Sequence, residues 1–542
     1  MQDKDVTIVE MLDACARDVM PINKISLDRM LAEYKVNILT STKVVGITDE
    51  GVKVEKADGQ LQLQGKIRMH AQDASASFLH LFYEKLIPKS AVEWCSEKGH
   101  SQISWEKDAT LPAEGYRILV TPEKMTVRAA DNAGFIYAVQ SLRQWGTREG
   151  DKLIFPCAEI TDFPRVKWRS FMLDSGRQYQ KVSTIKKYID MASMLKMNYF
   201  HWHLTEGLGW RIEIKRYPLL TRIGAFVGQG PEQQGFYSQE EVKEIVSYAA
   251  DLGITVVPEI DMPGHAEAAL NSYPRLGCFN IPVKVPQSGF TQNIFCAGKD
   301  STLTFLQNVL DEVCRMFPSA YIHLGGDEAP KGNWDKCTDC QARIAKEKLK
   351  DSHDLQLWFS ARMANYLKQK GRKAIFWGDV IYKDGYPLPD NVVIQWWNWR
   401  GHKDLALKNA VRHNYPVICG TNYYTYLNFP LTPWRGYAKD RTFDLEDVYL
   451  HNPSYRPREE NPLILGMSSA LWTDDGVTED RIDRRVFPRI LALAEQMWYS
   501  GKPLSFDEFY GKVLLKQPWF EQQGYSFGPA LKKEVDVNYK WD

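Results

Sequence analysis

Residues that can transfer protons or bind a flat ligand recur directly after eight apolar segments of the chain. They are Asp174 and Arg177, His201 and His203, Asp261 and His265, Asp327 and Glu328, Trp377 and Asp379, Trp396 and Trp397, Tyr424 and Tyr426, and Trp472 and Asp474. One polar residue after a strand is usually a cap or a loop contact, but eight such ends on one face indicate a site. Acids between aromatic walls suit the cleavage of a glycosidic bond.

The eight apolar segments alternate with helical patterns, which is typical of a parallel sheet. Eight strand–helix units predict an α/β fold whose core is a (β/α)8 TIM barrel over residues 161–500, with the active site at the carboxyl ends of its strands. A polar insertion, 429–461, replaces a clear helix between the last two strands. The predicted strands are 169–177, 197–204, 253–261, 320–328, 373–379, 392–397, 416–428 and 463–472.

The acid pair Asp327 and Glu328 constrains the mechanism. A glycosidase needs one acid to protonate the leaving oxygen and a second group to stabilise the oxocarbenium-like centre. Adjacent residues are too close in sequence to flank the bond in the ordinary two-carboxylate manner. The pair therefore points to a mechanism in which the substrate supplies its own nucleophile.

Five segments together resemble glycoside hydrolase family 20. They are FHWHLTEGLGWRIEIKRYP (200–218), PEIDMPGH (258–265), HLGGDE (323–328), FWGD (376–379) and ALWTDD (470–475). Their order and spacing also match, and the resemblance covers roughly residues 90–500, including a small α/β domain before the barrel. It implies a retaining exo-β-N-acetylhexosaminidase that removes terminal GlcNAc or GalNAc through an oxazolinium intermediate, without a cofactor or a metal.

The resemblance also implies roles for single residues. Asp327 would orient the acetamido group of the substrate and stabilise its positive charge, and Glu328 would be the general acid and then the general base. Tyr426 would donate its hydroxyl to the acetamido oxygen, and His265 would support Glu328. Arg177 would hold ring hydroxyls O3 and O4, and tryptophans would wall the sugar. The expected substrate-binding set is Arg177, His203, Glu206, Trp377, Trp397, Asn428, Trp472 and Asp474.

Three positions depart from the family pattern: Glu206, Asn428 and Asp474 stand where the family has Asp, Asp and Glu. The last two normally contact O4 and O6, so the departures leave the reaction class intact and bear on the substrate. A neutral Asn and a shorter acid could admit an anionic 6-O-sulfate, helped by cations of the insertion. The relevant residues of the insertion are Trp434 and the cations Arg435, Lys439 and Arg441. The alternatives are plain GlcNAc or GalNAc, or a catalytically silent glycan-binding protein.

Three of the recurring residues also have structural interpretations. His201 could simply pack within its strand, and Asp261 could cap a strand end. Trp396 alternates with Trp397 and so faces the other side of its strand, which predicts a core position.

The flanking regions predict three further parts. Residues 1–58 form a displaced fragment in which 5–58 resemble part of a flavin- or pyridine-nucleotide-dependent oxidoreductase, where Glu10 would meet a ribose. The fragment lacks the GxGxxG loop that would cradle a pyrophosphate, so we expect no cofactor function. Residues 59–160 predict the small α/β domain, with a helix whose apolar residues include Phe135 and Val139. Residues 501–542 predict an amphipathic helix and a tail.

Composition excludes several classes of partner. Lys+Arg and Asp+Glu are both 68, and this balance argues against nucleic acid, so the expected partner is a glycan or glycoconjugate. We expect no membrane span, since no apolar run reaches the ~18 residues required. No signal peptide is visible, although family members are often periplasmic or secreted, and localisation and oligomeric state stay open.

Cysteine spacing predicts no metal site. The nine cysteines include one CxxC, Cys337 and Cys340, but no second pair has the spacing of zinc ligands. A local disulfide or two free thiols is therefore the expectation for this motif.

Overall fold

The structure is a computed structural model of the 542-residue chain. It describes residues 7–9, 37–39, 42–48, 51–56, 59–71, 77–285, 291–399, 401–429, 431, 443–455 and 461–535. The chain divides into two compact units, Met1–Asp162 and Phe163–Asp542.

The first unit is a small α/β structure. Its largest sheet has six strands in the order β13-β9-β10-β8-β6-β7, and helix α2 begins at a cap in which Asp131 accepts a hydrogen bond from the backbone N–H of Gly134. Phe78, Trp105 and Phe135 pack together in its core. Its elements are β1 Thr7–Val9, β2 Asn37–Leu39, β3 Thr42–Thr48, β4 Gly51–Lys56, β5 Gln60–Leu63, β6 Ile67–Ala71, α1 Phe78–Lys85, β7 Val92–Trp94, β8 Ile103–Lys107, β9 Tyr116–Val120, β10 Met125–Ala129, α2 Asn132–Trp145, β11 Thr147–Glu149, β12 Lys152–Pro156 and β13 Ala158–Asp162.

The second unit is a closed barrel of eight parallel strands, which confirms the predicted (β/α)8 fold. The strands are largely buried because both faces are covered, as in β14 (Trp168–Asp174), where every residue is buried. The barrel strands are β14 Trp168–Asp174, β15 Tyr199–His203, β18 Thr255–Glu259, β19 Tyr321–His323, β20 Lys373–Trp377, β21 Val392–Trp396, β22 Val417–Cys419 and β23 Ile464–Leu471. A short hairpin follows β15, made of β16 Thr205–Glu206 and β17 Gly209–Trp210.

Helices connect the barrel strands. Helix α5 (Gln239–Asp251) begins with a capping box in which Ser238 and Glu241 each bond the other's backbone N–H. The helices are α3 Val182–Met194, α4 Leu219–Arg222, α5 Gln239–Asp251, α6 Glu267–Ser272, α7 Asp300–Met316, α8 Gly332–Lys336, α9 Thr338–Glu347, α10 Ser352–Gln369, α11 Leu405–Arg412, α12 Asn422–Thr425, α13 Leu445–His451, α14 Ile482–Val486, α15 Arg489–Trp498 and α16 Phe506–Gln522.

The seventh strand is shorter than predicted. It ends at Cys419, and helix α12 occupies part of the aromatic run that the pattern assigned to a strand. The backbone turns at Thr421, whose N–H and hydroxyl both bond the hydroxyl of Ser454. The expectation that 429–461 lacks a clear helix is also wrong, because α13 lies there.

Some of the remaining expectations concern described residues, and others stay untested. Helix α16 forms where an amphipathic helix was expected, and no helix among the described residues combines the length and apolar character needed to cross a membrane. The oxidoreductase-like interpretation of residues 5–58 and the domain boundaries stay predictions, and Glu10 lies outside the described residues.

Candidate active site

A pocket opens at the carboxyl ends of the barrel strands. Its lining includes the two adjacent acids and five aromatic side chains. It is lined by Arg177, Asp327, Glu328, Trp377, Trp397, Tyr426, Asn428, Phe429, Trp472 and Asp474. All of these except Phe429 belong to the predicted set. The other three predicted residues, His203, Glu206 and His265, are buried among them.

The two acids differ in exposure because of the turn that carries them. Gly325 and Gly326 both have positive φ, and Asp261 holds this turn through a 3.0 Å hydrogen bond from the backbone N–H of Gly326. A side chain at Gly325 would collide with the Asp261 carboxylate. Beyond the turn, Asp327 is buried while the Glu328 side chain is 51% exposed. Asp261 thus shapes the acid turn and is more than a strand cap.

Glu328 has the electrostatic environment of a proton donor. Partial burial and the neighbouring Asp327 carboxylate raise the pKa of the Glu328 carboxyl above its ordinary value. A raised pKa keeps a carboxyl protonated closer to neutral pH, which a general acid requires.

His265 joins the acids to a second carboxylate. Its Nδ1 lies 2.7 Å from Oε1 of Glu206, and its Nε2 lies 3.5 Å from Oδ2 of Asp327 and 3.8 Å from Oε2 of Glu328. Burial disfavours the charged ring, but Glu206 and Asp327 outweigh it and raise the pKa of His265 well above its usual value. The imidazolium form is therefore favoured at this position.

Arg177 continues the same chain of charges. It pairs with Asp174 at 2.9 Å and with Glu206 at 2.6 Å, and its guanidinium lies 5.0 Å from the ring centre of Trp472. Although burial opposes ionisation of Glu206, Arg177 and His265 lower the pKa of its carboxyl to about 2. Glu206, one of the departures from the family pattern, is thus held as a carboxylate.

Beneath the pocket lies a carboxylate that the sequence analysis did not single out, Glu259. Its Oε2 hydrogen-bonds His201 at 2.8 Å and His203 at 2.6 Å, and its Oε1 accepts from Trp377 Nε1 at 2.8 Å. His323 Nδ1 lies 3.2 Å from the same oxygen. Glu259 therefore holds the indole of Trp377, which lines the pocket, and two histidines. Its signal was an acid at the end of an otherwise apolar strand.

His201 has a structural place in this network. Burial and the neighbouring His323 lower the pKa of His201 to about 4, so its ring is neutral near neutral pH. The interpretation of His201 as a packed strand residue agrees with its burial. Trp396 is fully buried, as predicted from its alternation with Trp397.

Aromatic rings form the walls. Trp397 stacks parallel to Tyr426 with ring centres 6.2 Å apart, and Trp377 and Trp472 lie 5.8 Å apart. Trp397 Nε1 donates to Oδ2 of Asp379 at 2.5 Å. Asp379 also accepts from the backbone N–H of Glu328 at 3.3 Å, so it couples one wall to the acid turn.

Two departures from the family pattern meet at the pocket rim. Asn428 Nδ2 donates to Oδ1 of Asp474 at 2.9 Å, and Arg485 donates to the backbone carbonyl of Asn428. The amide and the shortened acid therefore bind each other. The insertion residues Trp434, Arg435, Lys439 and Arg441 lie outside the described residues.

Two groups in this region have the residue types of metal ligands. They are His201, Glu259 and His323, and Asp261, His265 and Asp327. In the first, His201 hydrogen-bonds the Glu259 carboxylate, and Nδ1 of His323 accepts a hydrogen bond from the backbone N–H of Gly325. In the second, Asp261 holds the glycine turn and His265 pairs with Glu206. These contacts account for both groups as hydrogen-bonded networks.

Sequence comparisons agree with this geometry. The catalytic domain of glycosyl hydrolase family 20 matches residues 166–501, and domain 2 of that family matches residues 50–163. A β-hexosaminidase of Porphyromonas gingivalis is 38% identical over 448 residues, which are 77% of this chain. The chain spans about half of that protein's length, 55%.

Structural comparisons give the same family. The crystal structure of a β-N-acetylhexosaminidase from Bacteroides fragilis is 84% identical, with a TM-score of 0.87, covering 90% of this chain and 98% of that one. The N-acetyl-β-hexosaminidase of Streptomyces plicatus is 26% identical, with a TM-score of 0.73, covering 88% and 95%. The predicted enzyme class, a glycoside hydrolase of the β-N-acetylhexosaminidase type, is confirmed at the level of the family. The chain belongs to glycosyl hydrolase family 20.

Proposed function

We propose that the protein is a retaining exo-β-N-acetylhexosaminidase that removes terminal, non-reducing GlcNAc or GalNAc by substrate-assisted catalysis. The observation that carries this proposal is the placement of Asp327 and Glu328. They are adjacent acids on one turn of an aromatic-lined pocket, and both face Nε2 of His265. From this turn Glu328 can protonate the leaving oxygen on one face of the sugar, while Asp327 holds the acetamido group whose oxygen attacks from the other face.

In the first step the acetamido carbonyl oxygen attacks the anomeric carbon and the glycosidic bond breaks. Glu328 gives its proton to the leaving oxygen. Asp327 accepts the acetamido N–H and stabilises the positive charge that develops on the forming oxazolinium ring. His265, held by Glu206, orients Asp327 and Glu328.

In the second step water attacks the anomeric carbon and reopens the ring. Glu328, now a carboxylate, takes the proton of that water and returns to its starting state. Two displacements at one carbon give net retention of configuration. Tyr426 donates to the acetamido oxygen, Trp377, Trp397 and Trp472 enclose the acetamido methyl and the sugar face, and Arg177 binds ring hydroxyls.

The test separates acid catalysis from binding. Glu328→Gln should lower kcat on a β-GlcNAc disaccharide by about 10²–10⁴, but much less on the nitrophenyl glycoside, whose leaving group needs little protonation. NMR of early product should show the β-anomer first. Glu347→Gln, on helix α9 away from the pocket lining, serves as the control.

Two outcomes would contradict the proposal. Wild-type rates in Glu328→Gln on both substrates would remove Glu328 from catalysis, and early α-anomer would exclude retention. A wild-type protein that binds GlcNAc but hydrolyses no hexosaminide would support the alternative of a silent glycan-binding protein.

A second candidate is the same chemistry on 6-O-sulfated GlcNAc. The observation that favours it is the contact between Asn428 and Asp474. Asn428 is neutral where the family has an acid, and its amide donates to Asp474, the acid that is left. The deciding measurement is kcat/KM for 6-sulfo-GlcNAc against GlcNAc nitrophenyl glycosides. Sulfate specificity predicts a ratio of roughly ten to one hundred that collapses in Arg435→Ala. A ratio below one excludes it.

A further inference from the structure

Four cysteine thiols lie close together, two in the segment after the third barrel strand and two in the segment after the fourth. Cys296 Sγ lies 3.5 Å from Cys340 Sγ and 3.7 Å from Cys337 Sγ, and Cys278 Sγ lies 4.0 Å from Cys340 Sγ. All four sulfur atoms lie within 4.8 Å of one another. Cys296, Cys337 and Cys340 are buried and Cys278 is half-buried.

These separations match a tetrahedral metal site and differ from a disulfide. Four sulfurs at ~2.3 Å from a central zinc ion stand about 3.8 Å apart along each edge of the tetrahedron. A disulfide would bring two sulfurs to about 2.05 Å and set the other two apart. All four thiols here are free, so of the two alternatives expected for Cys337 and Cys340, a local disulfide or two free thiols, this structure has the free thiols.

The backbone around the cluster is arranged for thiolates. Cys337 is the N-cap residue of α9 and Cys340 lies in its first turn, where the helix dipole favours negative charge. A side chain at Gly298 would collide with the backbone of Asp339, so only glycine lets this loop approach α9 so closely.

The other two ligands come from a paired loop. Gly277 and Phe295 form an antiparallel bridge, and the N–H of Cys296 donates to the carbonyl of Leu276 at 2.9 Å. This pairing brings Cys278 and Cys296 side by side although 17 residues separate them in the sequence. A spacing rule that looks for a second close pair therefore misses them.

We propose that Cys278, Cys296, Cys337 and Cys340 bind one zinc ion as a structural tetrathiolate site. Four thiolates fill the tetrahedral coordination of zinc and leave no position for substrate or water, so the site is structural and does not take part in hydrolysis. We infer zinc and not iron because the proposed role is structural and zinc has no redox chemistry.

The zinc ion would link the segment that follows His265 to the segment that follows Glu328. The Cys278–Cys296 loop follows His265, and the Cys337–Cys340 segment follows Glu328. Nearby contacts already join these segments, since Trp334 Nε1 donates to the carbonyl of Phe295 at 3.0 Å and Asn333 Nδ2 donates to Oδ1 of Asn293 at 3.2 Å. Zinc would add a covalent-strength link between them.

The first test is the metal content of the wild-type protein, purified under reducing conditions from zinc-supplemented medium. Mass spectrometry should find about one zinc per chain. Titration with a mercurial should release that zinc as the thiols react. After replacement of zinc by Co²⁺, the visible spectrum should show the thiolate charge-transfer and d–d bands of a tetrahedral cobalt tetrathiolate.

Cys340→Ser should lose the zinc, and Cys314→Ser, on helix α7 outside the cluster, should keep it. A zinc-selective chelator should lower the Tm of the wild-type protein. Wild-type protein with zinc at background level, or with zinc equal to that of Cys340→Ser, would overturn the proposal. So would a disulfide between any two of the four cysteines in protein isolated and alkylated without air.

Discussion

Glu206 and His265 form a buried ion pair, with Oε1 of the acid 2.7 Å from Nδ1 of the ring. The pair is the centre of a chain of alternating charges that runs from Arg177 through Glu206 and His265 to Asp327. Arg177 and His265 favour the carboxylate form of Glu206, and Glu206 favours the imidazolium form of His265. The carboxylate that departs from the family pattern therefore still supports the histidine beside the acids.

This chain predicts a pH-dependent loss of stability. Because the folded state lowers the pKa of Glu206 from 4.5 to about 2, its ionisation stabilises the fold at every pH above 4.5. The contribution is about 3 kcal/mol and is lost as the pH falls from 4.5 toward 2. Glu206→Gln should therefore lower the free energy of unfolding near pH 6, and the gap to wild type should narrow toward pH 2.

Urea unfolding between pH 2.5 and 6 measures that gap, with the exposed Glu232→Gln as the control. A difference between Glu206→Gln and wild type that stays constant over this range would contradict a lowered Glu206 pKa.

Asp327 predicts a shift in the pH profile. Burial and the charge of Asp327 raise the pKa of Glu328, and the general acid must be protonated in the first step. Asp327→Asn should lower kcat by about 10²–10⁴. It should also move the basic limb of kcat/KM to lower pH, since Glu328 then loses its proton more easily.

The profile is measured on a β-GlcNAc disaccharide, with Asp390→Asn as an exposed control. A basic limb that stays in place or moves to higher pH would show that Asp327 does not set the protonation of Glu328.

Two adjacent tryptophans offer a matched pair. Trp397 lines the pocket, whereas Trp396 is 0% exposed and donates to the backbone carbonyl of Lys403. Trp397→Ala should lower kcat/KM by roughly ten- to one hundredfold, from the loss of about 1.5–3 kcal/mol of contact with the sugar, and should leave stability nearly unchanged. Trp396→Ala should lose about 3–5 kcal/mol of stability but keep kcat per folded molecule.

Steady-state kinetics and urea unfolding on both variants check this division. If Trp397→Ala lost stability while keeping its kcat/KM, the assignment of that ring to the sugar site would be wrong.

The barrel and most of the pocket could be predicted because they depend on local patterns. Strands buried on both faces appear as short apolar runs, and the polar residues at their ends converge by the geometry of the barrel. Tyr426 shows the limit: it lines the pocket as expected, but from an isolated β-bridge with Ala470 after α12 and not from a continuous strand. A run of aromatic residues alone does not distinguish the two.

Contacts between distant segments could not be predicted. Glu259 looks like the end of an apolar strand, and its importance comes from partners on three other strands. Cys278 and Cys296 become neighbours only through the pairing of Gly277 with Phe295. In both cases the group is assembled by the tertiary fold, so no spacing in the sequence records it.

The central claim is that the acetamido oxygen of the substrate is the nucleophile, and fluorination of the N-acyl group tests it most directly. Each fluorine withdraws electrons and makes the carbonyl oxygen a weaker nucleophile, while the leaving group stays the same. For nitrophenyl glycosides carrying N-acetyl, N-fluoroacetyl, N-difluoroacetyl and N-trifluoroacetyl groups, kcat/KM should fall stepwise, by at least about tenfold, or ~1.4 kcal/mol, across the series. A rate that does not change along the series would contradict substrate assistance and require a nucleophile from the protein.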